Sequence, residues 1–571
     1  MSAKGGRSAP WELEGPGWEL DRVHFDRPVT AFTRSYYVDL VSSESEHGFA
    51  DFSVPIERYR FEVVNGWAYG RVIPFGGDPP GILEKLPALA HLWRVDPRAR
   101  RRIRGFDEFV RSGGFERAIS RWDEEWRPEA DRRVRELRSF DPGSASDEEL
   151  AANLAAWLEY CRWTWTFHLN LHLACFYVRA RFRDVCRDRL GLSDFEAYEL
   201  LKRSDPVLLS GSAKLSELAR RSREDEEADA ALGLPADQAL ERLRGTWFDD
   251  GLREYVEEEG DRSGSFELSD PTWREMPELV VGMVKGIRDA GYDPVEEEGE
   301  FEAWRRERVE ELRGRLAGAG RREFDHWLAL GERAYPLNET HNRLLVELPW
   351  AFARYSGLEA GRRLAEAGRL EDAADVFHLR GEEVVEALRG AGGDVGARAA
   401  ERRLEYERAQ SLDPPHSIGP PPPDPPYHAL PDAVGSAMQA LLEQTEEMLG
   451  AARAQERDGS QVVGSPGSPG RAEGPARVIR TIEEFDRVQP GDVLVCPLTN
   501  PSWTVLFPQV AALVTDSGGP LSHAAIVARE YGVPSVVGTL DATRRLSDGQ
   551  HVSVDGTAGT VRVQRTPEPV G

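Results

Sequence analysis

"TDSGGPLSHAAIVAREYG", residues 515–532, places a Ser-His pair after a Gly-Gly turn and before an apolar run of helical spacing. Read physically, it is a strand ("AALVTD", 511–516), a turn and a helix opening near Leu521 and Ser522. Gly518 and Gly519 let the backbone adopt positive φ or approach a bulky anion. Ser522 is a natural N-cap, its hydroxyl able to accept from a helix amide or to meet the neighbouring imidazole. His523 then falls in the first turn, where free N–H groups and the helix dipole favour a negative group on its ring. A neutral imidazole there is chemically fit to attack phosphorus. Taken alone, a Ser-His pair at a helix start is also an ordinary structural feature.

The surrounding runs are short and of β type: "GDVLVCPL" (491–498), "PSVVGT" (534–539), "HVSVDG" (551–556) and "TVRVQ" (560–564). They predict a small β-rich α/β domain over 462–571, with one helix at Ser522 to Tyr531. Upstream, "LDPPHSIGPPPPDPPYHALP" (412–431) excludes helix and central strand and reads as extended linker. A helix follows over Asp432 to Glu456, then the Gly-Ser-Pro stretch 458–475, so 412–461 reads as linker plus linker helix. Such an isolated domain is either an ordinary appendage or a mobile carrier visiting more than one site.

Residues 116–411 carry apolar positions at three- and four-residue steps, as in 147–185 and 342–377, and predict a large, mainly α domain. Residues 1–115, with runs such as "RSYYVDLV" and "RFEVVNGWAYGRVIPFGG", predict a mixed α/β part joined to that body.

The 571-residue chain has room for three or four folding units. Its 40% hydrophobic and 30% charged content is that of a globular protein. A net charge of −27 argues against nucleic acid as the main partner, since phosphate backbones require a basic footprint. Cys161, Cys175, Cys186 and Cys496 show no metal or disulfide spacing. No apolar run reaches the roughly 20 residues that span a bilayer, and the first residues lack a signal-peptide core; a cytoplasmic location is expected.

"TDSGGPLSHAAIVAREYGVPSVVGT", with "SPGRAEGPARVI" and "GDVLVCPLTNPSWTVLF" before it and "DGQHVSVDGTAGTVRV" after it, resembles the swivelling phosphohistidine domain of phosphoenolpyruvate-utilising enzymes. That family includes phosphoenolpyruvate synthase, pyruvate phosphate dikinase, rifampicin phosphotransferase and phenylphosphate synthase. The resemblance implies that His523 takes a phosphoryl or pyrophosphoryl group and passes it on, with Thr515, Gly518, Gly519 and Ser522 as the surrounding signature. "GLREYVEEEGDRSGSFELSDPTWREMP" (251–277) and "GRRLAEAGRLEDAADVFHLRGEEVVEAL" (361–388) resemble the substrate domain preceding the His domain in rifampicin phosphotransferase-like proteins. Asp261 stands where that pattern carries a histidine.

No Walker A loop and no basic Gly-rich loop of ATP-grasp type occurs in the sequence. The chain thus resembles the His-bearing subunit of phenylphosphate synthase and the last two domains of rifampicin phosphotransferase. ATP and Mg2+ are expected on a separate ATP-grasp subunit, and the acceptor is expected to be a small, apolar or aromatic hydroxyl compound held by the helical domain. Two clusters are candidates for the acceptor site. Glu339 and His341 in "PLNETHNRLLVELPW" could remove the hydroxyl proton or could be structural. His168 and His172, at i and i+4 with Trp165 a turn earlier, suit an aromatic pocket or a core helix; with no third ligand in the sequence neighbourhood, no metal is expected. Arg262 is a candidate anion clamp or a structural Arg. The same relay could instead serve a dehydratase or condensing enzyme, or a non-catalytic phosphocarrier.

Overall fold

The computed structural model describes residues 11–22, 24–25, 27–75, 96–202, 206–263, 265–290, 294–420, 430–449, 461–499, 501–520 and 522–564. It comprises a large helical body and a C-terminal β-rich domain. The body is organised on one helix, α1 (Asp147–Leu190), 44 residues long. Its start is fixed by a capping box. The Ser146 hydroxyl accepts from the Glu149 amide, and the Glu149 carboxylate accepts from the Ser146 amide at 2.8 Å. Gly191 ends it in the left-handed region at φ +71°. Buried residues such as Leu154, Trp157, Cys161, Trp165, Leu171 and Val178 recur around most of the helix, so it runs through the body and not along its surface.

The helices α2 (Trp247–Glu259) and α3 (Pro277–Ala290) share a separate core in which Phe248, Leu252 and Tyr255 meet Val280, Val281 and Val284. The helices α4 (Gly318–Asn342) and α5 (Leu348–Glu366) pack against α1. Between α4 and α5 the chain stays helical but widens into a π-turn at Arg343–Glu347. A π-turn shifts the side chains that follow it around the axis, a local cost often retained at functional sites.

At the N-terminal edge, β1 (Trp18–Leu20), β2 (Ile56–Val64), β3 (Trp67–Pro74) and β4 (Ser417–Ile418) form a sheet in the order β2-β3-β1-β4. Strand β4 lies at the start of the Pro-rich stretch and closes the sheet, with Trp18 opposite Ile418. The helix α6 is described over Asp432–Leu449, the rest of the span expected to Glu456 lying outside the described residues, and it is no free spacer. Val434, Ala437, Met438 and Leu441 join the main core beside α1. The Gln444 amide donates to the Tyr198 hydroxyl at 2.6 Å, and Arg183 pairs with Glu443 at 2.7 Å.

The C-terminal domain is an eight-stranded sheet in the order β5-β12-β11-β7-β8-β9-β10-β6, over β5 (Gln461–Val463), β6 (Ser465–Ser468), β7 (Arg471–Val478), β8 (Val493–Cys496), β9 (Ala512–Thr515), β10 (Ser535–Val537), β11 (His551–Asp555) and β12 (Thr560–Val563). Strands β7, β8, β9 and β10 run parallel, and their neighbours on both sides are antiparallel. Helix α7 (His523–Glu530) crosses between β9 and β10. Leu279 of α3 packs into both the helical core around Val280 and the core of the C-terminal domain, so the two units touch there. Among the described residues, no helix is long and apolar enough to cross a membrane.

Candidate functional site

Strands β8 and β9 are parallel neighbours in register, Cys496 opposite Thr515. The loops leaving their C-terminal ends therefore emerge side by side, which is where open parallel sheets place their sites. One loop carries Thr499 and the other leads into α7. Gly518 sits at φ +98°, and a Cβ there would lie 2.6 Å from the Ser522 hydroxyl, so the turn tolerates only glycine. Ser522 caps α7, accepting from the Ala525 amide, and His523 is the first helical residue. Thr515, fully buried, donates its hydroxyl to the Ser517 carbonyl at 2.7 Å and holds the turn. Asp516 accepts from the amide and hydroxyl of Thr543. Gly519 is buried in the same turn.

The Thr499 hydroxyl lies 2.9 Å from Nδ1 of His523. With Nδ1 engaged, Nε2 is the ring nitrogen left for chemistry. Crowding by the surrounding chain pushes the imidazole down to about 3, so it is neutral at physiological pH. A neutral ring with one nitrogen held and the other at a helix N-terminus can take up a phosphoryl group and stabilise the added charge. Thr499 was not singled out by sequence reasoning; it lies 24 residues from His523, and only strand register joins them.

The helical body brings together part of the second candidate group. His168 and His172 on α1 meet His341 of α4, with His341 Nε2 3.2 Å from His172 Nε2. Trp165 packs edge-on against His168, ring centres 4.6 Å apart. His341 is fully buried, and burial lowers it to about 4. Glu339 lies on α4, but its side chain falls outside the described residues. Arg262 is buried and paired to Glu259 at 2.9 Å. Asp261, with no exposure, is held by Arg274 at 2.9 Å and Arg138 at 3.1 Å and accepts from the Tyr355 hydroxyl.

A separate cavity opens between the 263–272 segment and the π-turn with α5. Phe266, Val346 and Trp350 give it an apolar wall, and Glu267, Glu347 and Arg354 supply charge. Glu267 accepts from the hydroxyls of Thr30 and Thr33, and Arg354 pairs with Glu275 at 2.8 Å. Oε2 of Glu347 is buried and makes no hydrogen bond among the described residues, but it lies 3.7 Å from the Arg343 guanidinium. Residues Trp165, His168, His172, Arg262 and His341 do not line this cavity. Glu347, at the end of the π-turn, lines this cavity and is not among the residues to which the sequence points.

A small parallel-cored domain presenting a capped, neutral histidine at its strand ends defines a class. Residues 488–559 match the mobile domain of PEP-utilising enzymes, and residues 168–339 match the fourth domain of rifampicin phosphotransferase. The chain is similar to chondramide synthase cmdD of Chondromyces crocatus, 33% identical over 70% of this chain and 10% of that protein. It is 34% identical to the phosphotransferase YvkC of Bacillus subtilis over 56% of this chain and 37% of that protein. Rifampicin phosphotransferase of Streptomyces sviceus is 31% identical over 58% of this chain and 36% of its own length. The chain thus spans little more than a third, or less, of these relatives.

Proposed function

We propose that the protein is a phosphotransferase component in which His523 carries a phosphoryl group from ATP to a hydroxyl compound held in the helical body. The observation that carries this reading is the Thr499–His523 contact at a capped helix start. Nε2 attacks phosphorus, forming the N–P bond as the P–O bond to the nucleotide breaks. The domain then presents the phosphohistidine to the helical body. There the acceptor oxygen forms the new P–O bond, N–P breaks, and the hydroxyl proton passes to a carboxylate.

The apolar wall of Phe266 and Trp350 supports contact with an apolar or aromatic part of the acceptor, and Glu347 is our candidate for the proton acceptor. ATP and Mg2+ are assigned to an ATP-grasp unit outside these residues, on the simplest reading a separate subunit. The names of relatives that are phosphotransferases support the reaction class.

The test is labelling with ATP in the presence of an ATP-grasp partner. Acid-labile, base-stable label on the wild-type chain and none on His523→Ala is expected. Label that survives His523→Ala removes the proposal.

A further inference from the structure

We propose that His168, His172 and His341 form a binding site for one divalent transition-metal ion of zinc type, clasping α1 to α4. The site is separate from the Mg2+ that phosphoryl transfer uses, and it does not depend on the phosphotransferase reading.

The pair on α1 is spaced i, i+4, so both rings project from one face of that helix. The third ring arrives from α4, 169 positions away in sequence. The ring centres lie 4.7 Å apart for His168 and His172, 4.8 Å for His168 and His341, and 4.6 Å for His172 and His341. One ring nitrogen from each residue falls within 4.8 Å of the other two. Nitrogens bound at about 2.0–2.1 Å on a tetrahedral zinc stand about 3.3 Å apart. The Nε2 atoms of His172 and His341 are already at 3.2 Å.

Two further observations orient the set toward a cation. Nδ1–H of His341 donates to the Leu337 carbonyl at 2.5 Å, fixing the tautomer whose Nε2 lone pair faces the cluster. Metal-bound histidines are held by this kind of outer hydrogen bond. Nδ1 of His168 is buried with no hydrogen-bond partner among the described residues, although buried polar atoms are nearly always satisfied. A ring nitrogen on a metal removes that deficit.

The ligand set also selects the ion. Three imidazoles favour zinc and its neighbours over magnesium or calcium, which take oxygen ligands. Trp122, Trp165 and Phe176 pack against the three rings and give the site an apolar sheath. His341 stands just ahead of the π-turn that aims Glu347. The ion therefore pins the frame on which the cavity is built, and its role is structural.

The untagged full-length chain, stripped with a chelator, should bind one Co2+ with visible ligand-field bands of a nitrogen-rich site and no sulfur charge-transfer band. Zn2+ should displace it at one equivalent and raise the thermal midpoint by several degrees. His172→Gln, at a half-buried position, should fold and lose at least tenfold in Zn2+ affinity. An unchanged midpoint with no saturable Co2+ spectrum overturns the site. So does a sulfur charge-transfer band, or full-strength binding in His172→Gln.

Discussion

Thr499 and His523 are joined across two strand ends, hydroxyl to Nδ1 at 2.9 Å, and that contact leaves Nε2 as the nitrogen open to the chemistry proposed for His523. A residue in one loop thereby engages one ring nitrogen of a residue in another. Position alone would leave either nitrogen available.

Thr499→Val keeps the shape and removes the hydroxyl. One hydrogen bond of about 1–1.5 kcal/mol corresponds to roughly a tenfold slower phosphorylation of His523. Thr499→Ser should restore most of the rate. Single-turnover labelling measures both, and wild-type speed in Thr499→Val would show that the contact is incidental.

The depressed value of His523 has a definite sign. Its folded-state value, about 3, lies below the ordinary 6.5, so the neutral ring persists where a free histidine would be charged. The associated stabilisation is full above pH 6.5 and is lost as pH falls toward 3. In spectra of 15N-histidine-labelled protein, His523 should remain neutral through pH 5. A midpoint near 6.5 would contradict the crowding described above.

Gly518→Ala forces a Cβ against the Ser522 hydroxyl at a positive φ. The cost is about 1–2 kcal/mol in the C-terminal domain, with the α7 start displaced. Denaturant unfolding should register the loss, and labelling of His523 should slow with it.

Asp261 offers a stability test in the helical body. It is fully buried between Arg138 and Arg274. Removing its carboxylate in Asp261→Ala takes one partner from two half-exposed guanidinium groups that still donate to the Glu257 carbonyl, and leaves the Tyr355 hydroxyl short of a partner, so it should cost about 1–3 kcal/mol. Chemical denaturation reads this directly; a loss under 1 kcal/mol would mean that water takes over the role.

Glu347→Gln separates the two half-reactions. His523 should label at the normal rate, while transfer to the hydroxyl acceptor should fall roughly 100-fold or more, the scale of losing a general base. Equal transfer rates would move the acceptor site away from this cavity.

The turn at Gly518 and the cap at Ser522 were legible because both are local, a backbone demand and a hydrogen bond three residues long. Thr499 was not legible, because strand register is a tertiary fact and nothing near Thr499 announces His523. His341 was read as an acceptor candidate from its neighbours, but its meeting with the pair on α1 depends on how two helices pack. Glu347 ends the π-turn, a widening of the helix that no local pattern in the sequence announces. The docking of α6 did have a signal. Val434, Ala437, Met438 and Leu441 fall at i, i+3, i+4 and i+7, an apolar stripe that needs a surface to cover it.

That docking sets a limit on travel. With α6 fastened to the body, Leu449 is its last described residue, and eleven positions separate it from Gln461 of β5. A chain of that length extends at most about 40 Å. The helical body and its fastened helix therefore bound where β5 can lie, and under the proposed relay the nucleotide that loads His523 has to fall within that reach.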